Sequence, residues 1–196
     1  NKIKGRCSAK LLTMPYVTDG SPKTNLGDKR SVVATRFAFP KNPKIVLDAN
    51  AILREEAKDT IEWYGARDGR TAMVLSSHKE FLSTYFGEYR SISSILPNYI
   101  LAIDMSGKIR GEGGGVQYSF VEAMEYGNLL IVNEEWLEVD GEMNVGYNCY
   151  VAQDPKSLAK VCSSPKELLR EMKETLMVGY KETLAKHNCR EEWSNL

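Results

Sequence analysis

Apolar residues recur along this chain in two rhythms. Short unbroken apolar runs bounded by turn residues read as buried strands, and apolar positions three and four apart read as helix faces. Ser31-Val-Val-Ala-Thr-Arg36 is a compact strand of this kind. Thr60-Ile-Glu-Trp-Tyr64 is a second, closed by Gly65, and Asn98-Tyr-Ile-Leu-Ala-Ile103 is a third, set between Pro97 and Asp104. Asn128-Leu-Leu-Ile-Val132 and the shorter Cys149-Tyr-Val151 follow. Between them, Lys44 to Leu53 carries apolar residues at helical spacing, His78 to Phe86 reads as helical, and another helix covers about 117–126. Ala72-Met-Val-Leu75 fits a strand or a buried turn. Asp154-Pro155 has the form of an N-cap with proline in the first helical turn, opening a helix through about Val161. Ser164-Pro165 repeats that signal ahead of a long helix with Leu168, Leu169, Met172, Leu176 and Tyr180 on one stripe. Strands alternating with helices predict an α/β fold, a parallel sheet with helices on both faces.

Residues 1–30 break this rhythm. Lys2, Lys4, Arg6 and Lys10 precede the apolar pair Leu11-Leu12, and Pro15, Gly20, Pro22, Asn25 and Gly27 then punctuate the segment. It reads as a short strand and a linker entering a domain. At 196 residues the chain suits one domain, or a domain with part of another. It opens on Asn1, as a fragment or a processed chain does.

Composition narrows the picture only modestly. Apolar residues make up 42% and charged residues 27%, enough to bury a core. The 26 basic and 26 acidic side chains cancel, so no global field draws the chain to nucleic acid. No window is apolar enough to span a membrane, and no signal peptide is visible. Cys7, Cys149, Cys162 and Cys189 form no Cys-x-x-Cys pair and read as reduced thiols, which implies a cytoplasmic protein. His78 and His187 lack metal-ligand spacing, so no metal site is expected.

The chemistry concentrates in Arg110-Gly-Glu-Gly-Gly-Gly-Val-Gln-Tyr-Ser-Phe-Val-Glu-Ala-Met-Glu-Tyr-Gly127. Three glycines open what reads as a helix, and backbone N–H groups at a helix start suit a phosphate or diphosphate. Gly113, Gly114 and Gly115 permit close approach because no Cβ intervenes. Glu122, one to two turns further in, can accept hydrogen bonds from a ligand hydroxyl. The loop follows the buried strand 99–103, and ligands of open α/β sheets bind beyond the carboxyl ends of strands. It matches neither the dinucleotide fingerprint nor the Walker A pattern. Arg36 and Lys41 lie past the end of the first strand, on the same sheet edge if that strand is parallel to 99–103. Arginine grips two phosphate oxygens through its planar fork, whereas lysine supplies a point charge. Lys108 and Arg110 flank the loop and could add charge, with Glu112 beside them. Glu134, Glu135 and Glu138, around Trp136, read as a charged solvent-facing loop, and Trp63-Tyr64 as packing. No catalytic triad, catalytic cysteine or His-Glu-x-x-His is present, and no general base is identified.

Taken together, Ser31 to Pro43, Ile61 to Gly65, Glu112-Gly-Gly-Gly-Val and Phe120-Val-Glu122-Ala-Met-Glu-Tyr-Gly127 resemble the C-terminal, donor-binding half of a GT-B glycosyltransferase. The likeness is to the group-1/family-4 type, including its viral and phage members, and covers about residues 28–180. It implies a Rossmann-like donor domain over 31–196, with 1–30 as linker and the trailing end of an N-terminal acceptor domain. It implies that Arg36, Lys41 and Gly113 to Gly115 hold the diphosphate of a nucleoside-diphosphate sugar, and that Glu122 binds its ribose. Lys108, Arg110 and Glu112 are then further sugar or phosphate contacts. The Arg/Lys pair offsets charge on the departing nucleoside diphosphate, so no metal or other cofactor is implied. The acceptor, whether glycan, protein or nucleic acid, is not implied, and cytoplasmic location (host cytoplasm for a viral member) is. One departure stands out. The family carries two glutamates with seven residues between them, and Gly114 occupies the first of those positions, with Glu112 two places too early. A non-catalytic Rossmann-like binding module and a GT-B-fold sugar-nucleotide epimerase are the alternatives.

Overall fold

The computed structural model describes residues 18, 20–89, 91–107, 116–138 and 142–188. Two strands, β1 (Lys29–Ala34) and β4 (Tyr99–Asp104), lie side by side at the middle of one sheet. Outward from β1 come β2 (Glu62–Tyr64) and β3 (Tyr85–Gly87), and outward from β4 come β5 (Leu129–Asn133) and β6 (Tyr150–Ala152). Every neighbouring pair is parallel. Every residue of β4 and β5 is buried, as the near-continuous apolar sequences of strands covered on both faces require. The chain therefore runs outward twice from a central point, which makes the β1–β4 boundary the place where strand order reverses.

Six helices cover this sheet among the described residues: α1 (Pro43–Glu55), α2 (Gly69–Leu75), α3 (Phe81–Thr84), α4 (Tyr118–Glu125), α5 (Pro155–Ser163) and α6 (Lys166–His187). α1 packs with α5 and α3, and α4 packs with α6, giving two helical layers. Right-handed crossovers on opposite sides of the reversal place these layers on opposite faces. The Rossmann-like arrangement expected from the alternating pattern is the one observed. Residues 23–27 lie against the sheet layer: the Lys23 N–H donates to the Glu125 carbonyl (2.7 Å), and Asn25 Nδ2 donates to the Tyr99 carbonyl (2.9 Å).

Local chemistry explains where the elements differ from expectation. Ala72–Leu75 belongs to α2, neither strand nor turn, because the Asp68 carboxylate caps that helix by accepting from the Thr71 N–H at 2.8 Å. In the stretch 78–86 only α3 is helical; Tyr85 turns into β3 instead, paired with Trp63 and packed edge-on to Phe37. Aromatic packing on a pleated surface outweighs local helix preference there. Asp154 caps α5 as its sequence predicts, in a reciprocal capping box with Ser157 and with Pro155 in the first turn. The repeat of that signal does not act the same way: Ser164 Oγ donates back to the Lys160 carbonyl, closing α5, and α6 starts without a side-chain cap. Leu169, Leu176 and Tyr180 form the buried stripe of α6, whereas Leu168 is exposed. The Tyr180 hydroxyl bridges α6 to the sheet, donating to the Asn128 carbonyl (2.8 Å) and accepting from the Leu130 N–H (3.0 Å).

At the carboxyl ends of β1 and β2 the backbones converge closely. Gly65 has φ +152°, and a Cβ there would lie 2.1 Å from the Thr35 carbonyl oxygen. Trp63 Nε1 donates to that same carbonyl at 2.8 Å, and the Phe37 N–H bonds the Ala66 carbonyl at 2.8 Å. Thr35 to Phe37 is thereby held against β2 just where the chain leaves the sheet.

Candidate functional site

Two connections leave the sheet at the strand-order reversal, one after β1 and one after β4, and they are braced together. The Asn42 amide donates to the Met105 carbonyl (2.9 Å), and the Gly107 N–H donates to the Pro40 carbonyl (3.2 Å). Asn42 takes the left-handed conformation, φ 46°, which turns the chain out of the short 3-10 turn Phe39–Lys41 and into α1. Asparagine tolerates that region better than most residues. Trp136 completes the brace from β5, donating its Nε1 to the Ser106 carbonyl at 2.8 Å while its ring packs edge-on to Phe120 in α4.

Lys41 sits inside this brace. Its ammonium donates to Asp104 Oδ2 at 3.0 Å and to Gln117 Oε1. Asp104, at the end of β4, is buried and also accepts from Ser119 Oγ (2.6 Å) and the Ser106 N–H (2.9 Å). Gln117 Oε1 accepts a second bond from Ser106 Oγ (3.3 Å). A lysine ammonium has three N–H groups, so one is left to meet a further acceptor. Parallel pairing of β1 with β4 meets the condition under which Lys41 shares a sheet edge with the end of β4, and it brings Lys41 to Asp104.

Glu122 comes from α4 to the carboxyl ends of the same two strands, β1 and β4. It lines a small cavity of about 10 Å³, the room of a single water, together with Ala34, Thr35, Leu96, Asp104 and Ser119. Burial among these walls, and then the Glu125 carboxylate one turn away, push Glu122 up to about 7. Its carboxyl group accepts no hydrogen bond from any described residue. Tyr89 borders it: burial and then the Glu122 charge raise the phenol, whose hydroxyl lies 3.4 Å from the Ala34 carbonyl. Glu125 itself is held by Lys23 at 2.9 Å.

The remaining sequence candidates divide. Arg36 lies just past β1 but is exposed and makes no hydrogen bond to a described residue; its charge is felt by Asp68. Lys108, Arg110, Glu112, Gly113, Gly114 and Gly115 lie outside the described residues. Glu134 and Glu135 are exposed, while Trp136 is buried. No group of acidic, histidine or cysteine side chains among the described residues is arranged to hold a metal. Cys149 and Cys162 are free and buried, with burial pushing both thiols up to about 12. No described helix is long and apolar enough to cross a membrane.

Asp104, Gln117, Ser119, Ser106 and Asn42 were not marked by sequence reasoning. The signal for Asp104 was present, since it closes the third apolar run at the carboxyl end of a central strand. Gln117 carried no signal beyond its place at the start of a helix.

Neither a protein-family model nor a curated protein sequence matches this chain. Solved structures do. The fold matches Alr3699/HepE of Anabaena, solved with UDP and glucose, with TM-score 0.59 at 16% identity over 85% of this chain and 49% of that one. It matches the pneumococcal O-GlcNAc transferase GtfA, solved with UDP and GlcNAc, with TM-score 0.61 at 16% identity over 97% of this chain and 40% of that one. The C-terminal domain of a group 1 glycosyl transferase, LpcC of Francisella tularensis, matches with TM-score 0.61 at 14% identity over 87% of this chain and 96% of that domain. The chain thus has the Rossmann-like fold of a GT-B glycosyltransferase domain and spans about half or less of the full-length structures it matches.

Proposed function

We propose that this chain is the donor-binding domain of a glycosyltransferase that takes a hexosyl group from a nucleoside-diphosphate sugar. The observation that carries this reading is that Asp104 links Lys41 to Glu122: it accepts from the Lys41 ammonium at 3.0 Å and lines the same small cavity as Glu122, at the strand-order reversal where open α/β sheets bind ligands. A fixed ammonium suits the diphosphate. An acceptor without a donor among the described residues, about one turn into the neighbouring helix, suits the ribose hydroxyls. HepE and GtfA, which share the fold, were solved with UDP, which supports a nucleotide ligand for this chain.

In this reading Lys41 and the exposed Arg36 take up the negative charge that grows on the leaving diphosphate as the glycosidic bond breaks. Stabilising developing charge with groups already in place is the largest contribution a site of this kind can make. A metal ion is then not required for departure of the leaving group. The glycine-rich segment 113–115 supplies backbone donors for the phosphates, with Lys108, Arg110 and Glu112 nearby, and a second domain supplies the acceptor and the general base. The segment ahead of the residues that pack on the sheet is the link to that domain. Acting alone, residues 31–196 bind donor and transfer slowly or not at all.

Calorimetric titration with UDP, GDP and ADP and their hexose conjugates tests this. Binding of one nucleoside diphosphate, with affinity kept by its sugar conjugate, is the expected result; no binding of any would sink the reading. Arg36→Ala is expected to weaken the diphosphate by about 1.5–3 kcal/mol, the scale of a charged hydrogen bond. A second reading, a non-catalytic binding module, draws on Gly114 standing where the family's first glutamate is expected. It predicts binding of nucleotide with no hydrolysis or transfer of the sugar even when an acceptor domain is supplied.

A further inference from the structure

The orientation of one side-chain amide is unusually well determined. Gln117 directs Oε1 at two donors at once, the Lys41 ammonium and Ser106 Oγ at 3.3 Å. A side-chain amide flipped by half a turn would aim its NH2 at both of these groups, so the hydrogen-bond network fixes which end points where. The Nε2 group therefore faces away from this cluster, and it finds no acceptor among the described residues. Gln117 is the residue before α4, at that helix's positive end, and its side chain is only partly exposed.

Lys41 is held in the same way. Asp104 and Gln117 take two of its N–H groups, and Asp104 is itself fixed by Ser119 and the Ser106 N–H. The cluster thus presents two donors with nothing opposite them among the described residues: the third N–H of Lys41 and the amide of Gln117. Because both are anchored through the same atoms, they stand at a set separation. A group offering several anionic oxygens close together would satisfy both.

We propose that Gln117 is a ligand-contacting residue whose Nε2 donates to an oxygen of the same diphosphate that Lys41 meets. This rests on the donor-domain reading above. It also bears on the departure at Gly114, since it gives the donor a polar side-chain contact three residues further along the chain. Specificity follows from the geometry: the amide serves the phosphate end of the ligand and leaves its nucleoside end untouched.

The test separates contact from anchoring. Gln117→Glu keeps an acceptor for Lys41 and Ser106 but replaces the outward donor with an oxygen. Gln117→Ala removes both. Each full-length variant and the wild type would be titrated calorimetrically with the nucleoside diphosphate that wild type binds best. The parent nucleoside would be followed by NMR shift titration, and ligand-free thermal unfolding would report the fold. The expected result is at least tenfold weaker diphosphate binding in both variants, with the nucleoside unaffected. The loss should persist at about 1 M salt, where repulsion between separated charges is screened. Diphosphate affinity unchanged in Gln117→Glu would overturn the proposal and leave Gln117 as an anchor for Lys41. So would a loss that disappears in high salt, or one shared equally by the nucleoside. Absence of nucleoside-diphosphate binding by the wild type would instead remove the donor-domain reading beneath it.

Discussion

Glu122 shows how much a single position can carry. Burial and a like charge raise this carboxyl from 4.5 to about 7, so its ionised form is the costly one in the folded chain. For an acid with a raised folded value, the cost is absent below the unfolded pKa and builds as pH climbs through the folded one. Glu122→Gln is therefore expected to be more stable than wild type at pH 8, by on the order of 1–3 kcal/mol, and equal to it at pH 4. Urea unfolding at the two pH values measures this; an equal difference at both would mean packing, not charge, sets the effect. In the proposed donor reading, the same substitution should also weaken ligand binding, since the ribose would lose its acceptor. Cys149 and Cys162 are buried thiols that burial pushes up to about 12, at Cys162 in spite of Ser31 and Arg30, which act the other way. Their reaction with a disulfide reagent at pH 8 should wait on unfolding, with mass mapping of the modified sites distinguishing them from Cys7 and Cys189. Lys41 and Glu122 were singled out in the sequence because each belongs to a short local pattern. Asp104 and Gln117 were not, because what makes them matter is a contact with Lys41 across 63 and 76 residues of chain.

Among the elements, the long strands and helices were readable and the short ones were not. β4 and β5 are apolar throughout because they are covered on both faces, and no other local structure explains such runs as well. α2, α3 and β3 are too short for periodicity to decide, and tertiary contacts assign them: the Asp68 cap for one, packing of Phe81 and Tyr85 on Phe37 for the others. Ser164-Pro165 is instructive because the dipeptide matched a true cap nearby, yet its hydroxyl found a carbonyl of the preceding helix instead. The attachment of α6 also lies beyond sequence patterns. Tyr180 looks like one more apolar residue on a stripe, but its hydroxyl is tied to both Asn128 and Leu130 of the sheet layer. Tyr180→Phe keeps the ring and strands a buried carbonyl and a buried N–H. It is expected to cost about 1–3 kcal/mol in chemical unfolding, more than the loss of an exposed hydroxyl.

For the molecule as a whole, alternation of strand and helix predicted the architecture, and the strand order then located the crevice. The glycine-rich segment, the most conspicuous feature of the sequence, falls outside the described residues, so its part in the site rests on its pattern and not on geometry. What the fold contributes is the opposite wall. The connections after β1 and β4 are cross-linked by Asn42, Gly107 and the Lys41–Asp104 pair before any ligand arrives. In the proposed reading, the described residues of a wall braced this way have little conformational entropy left to lose on meeting a diphosphate. Capture on this side is therefore governed by encounter. In stopped-flow mixing the observed rate should rise linearly with nucleotide concentration. A rate that levels off would reveal a slow rearrangement and place the moving part elsewhere in the crevice.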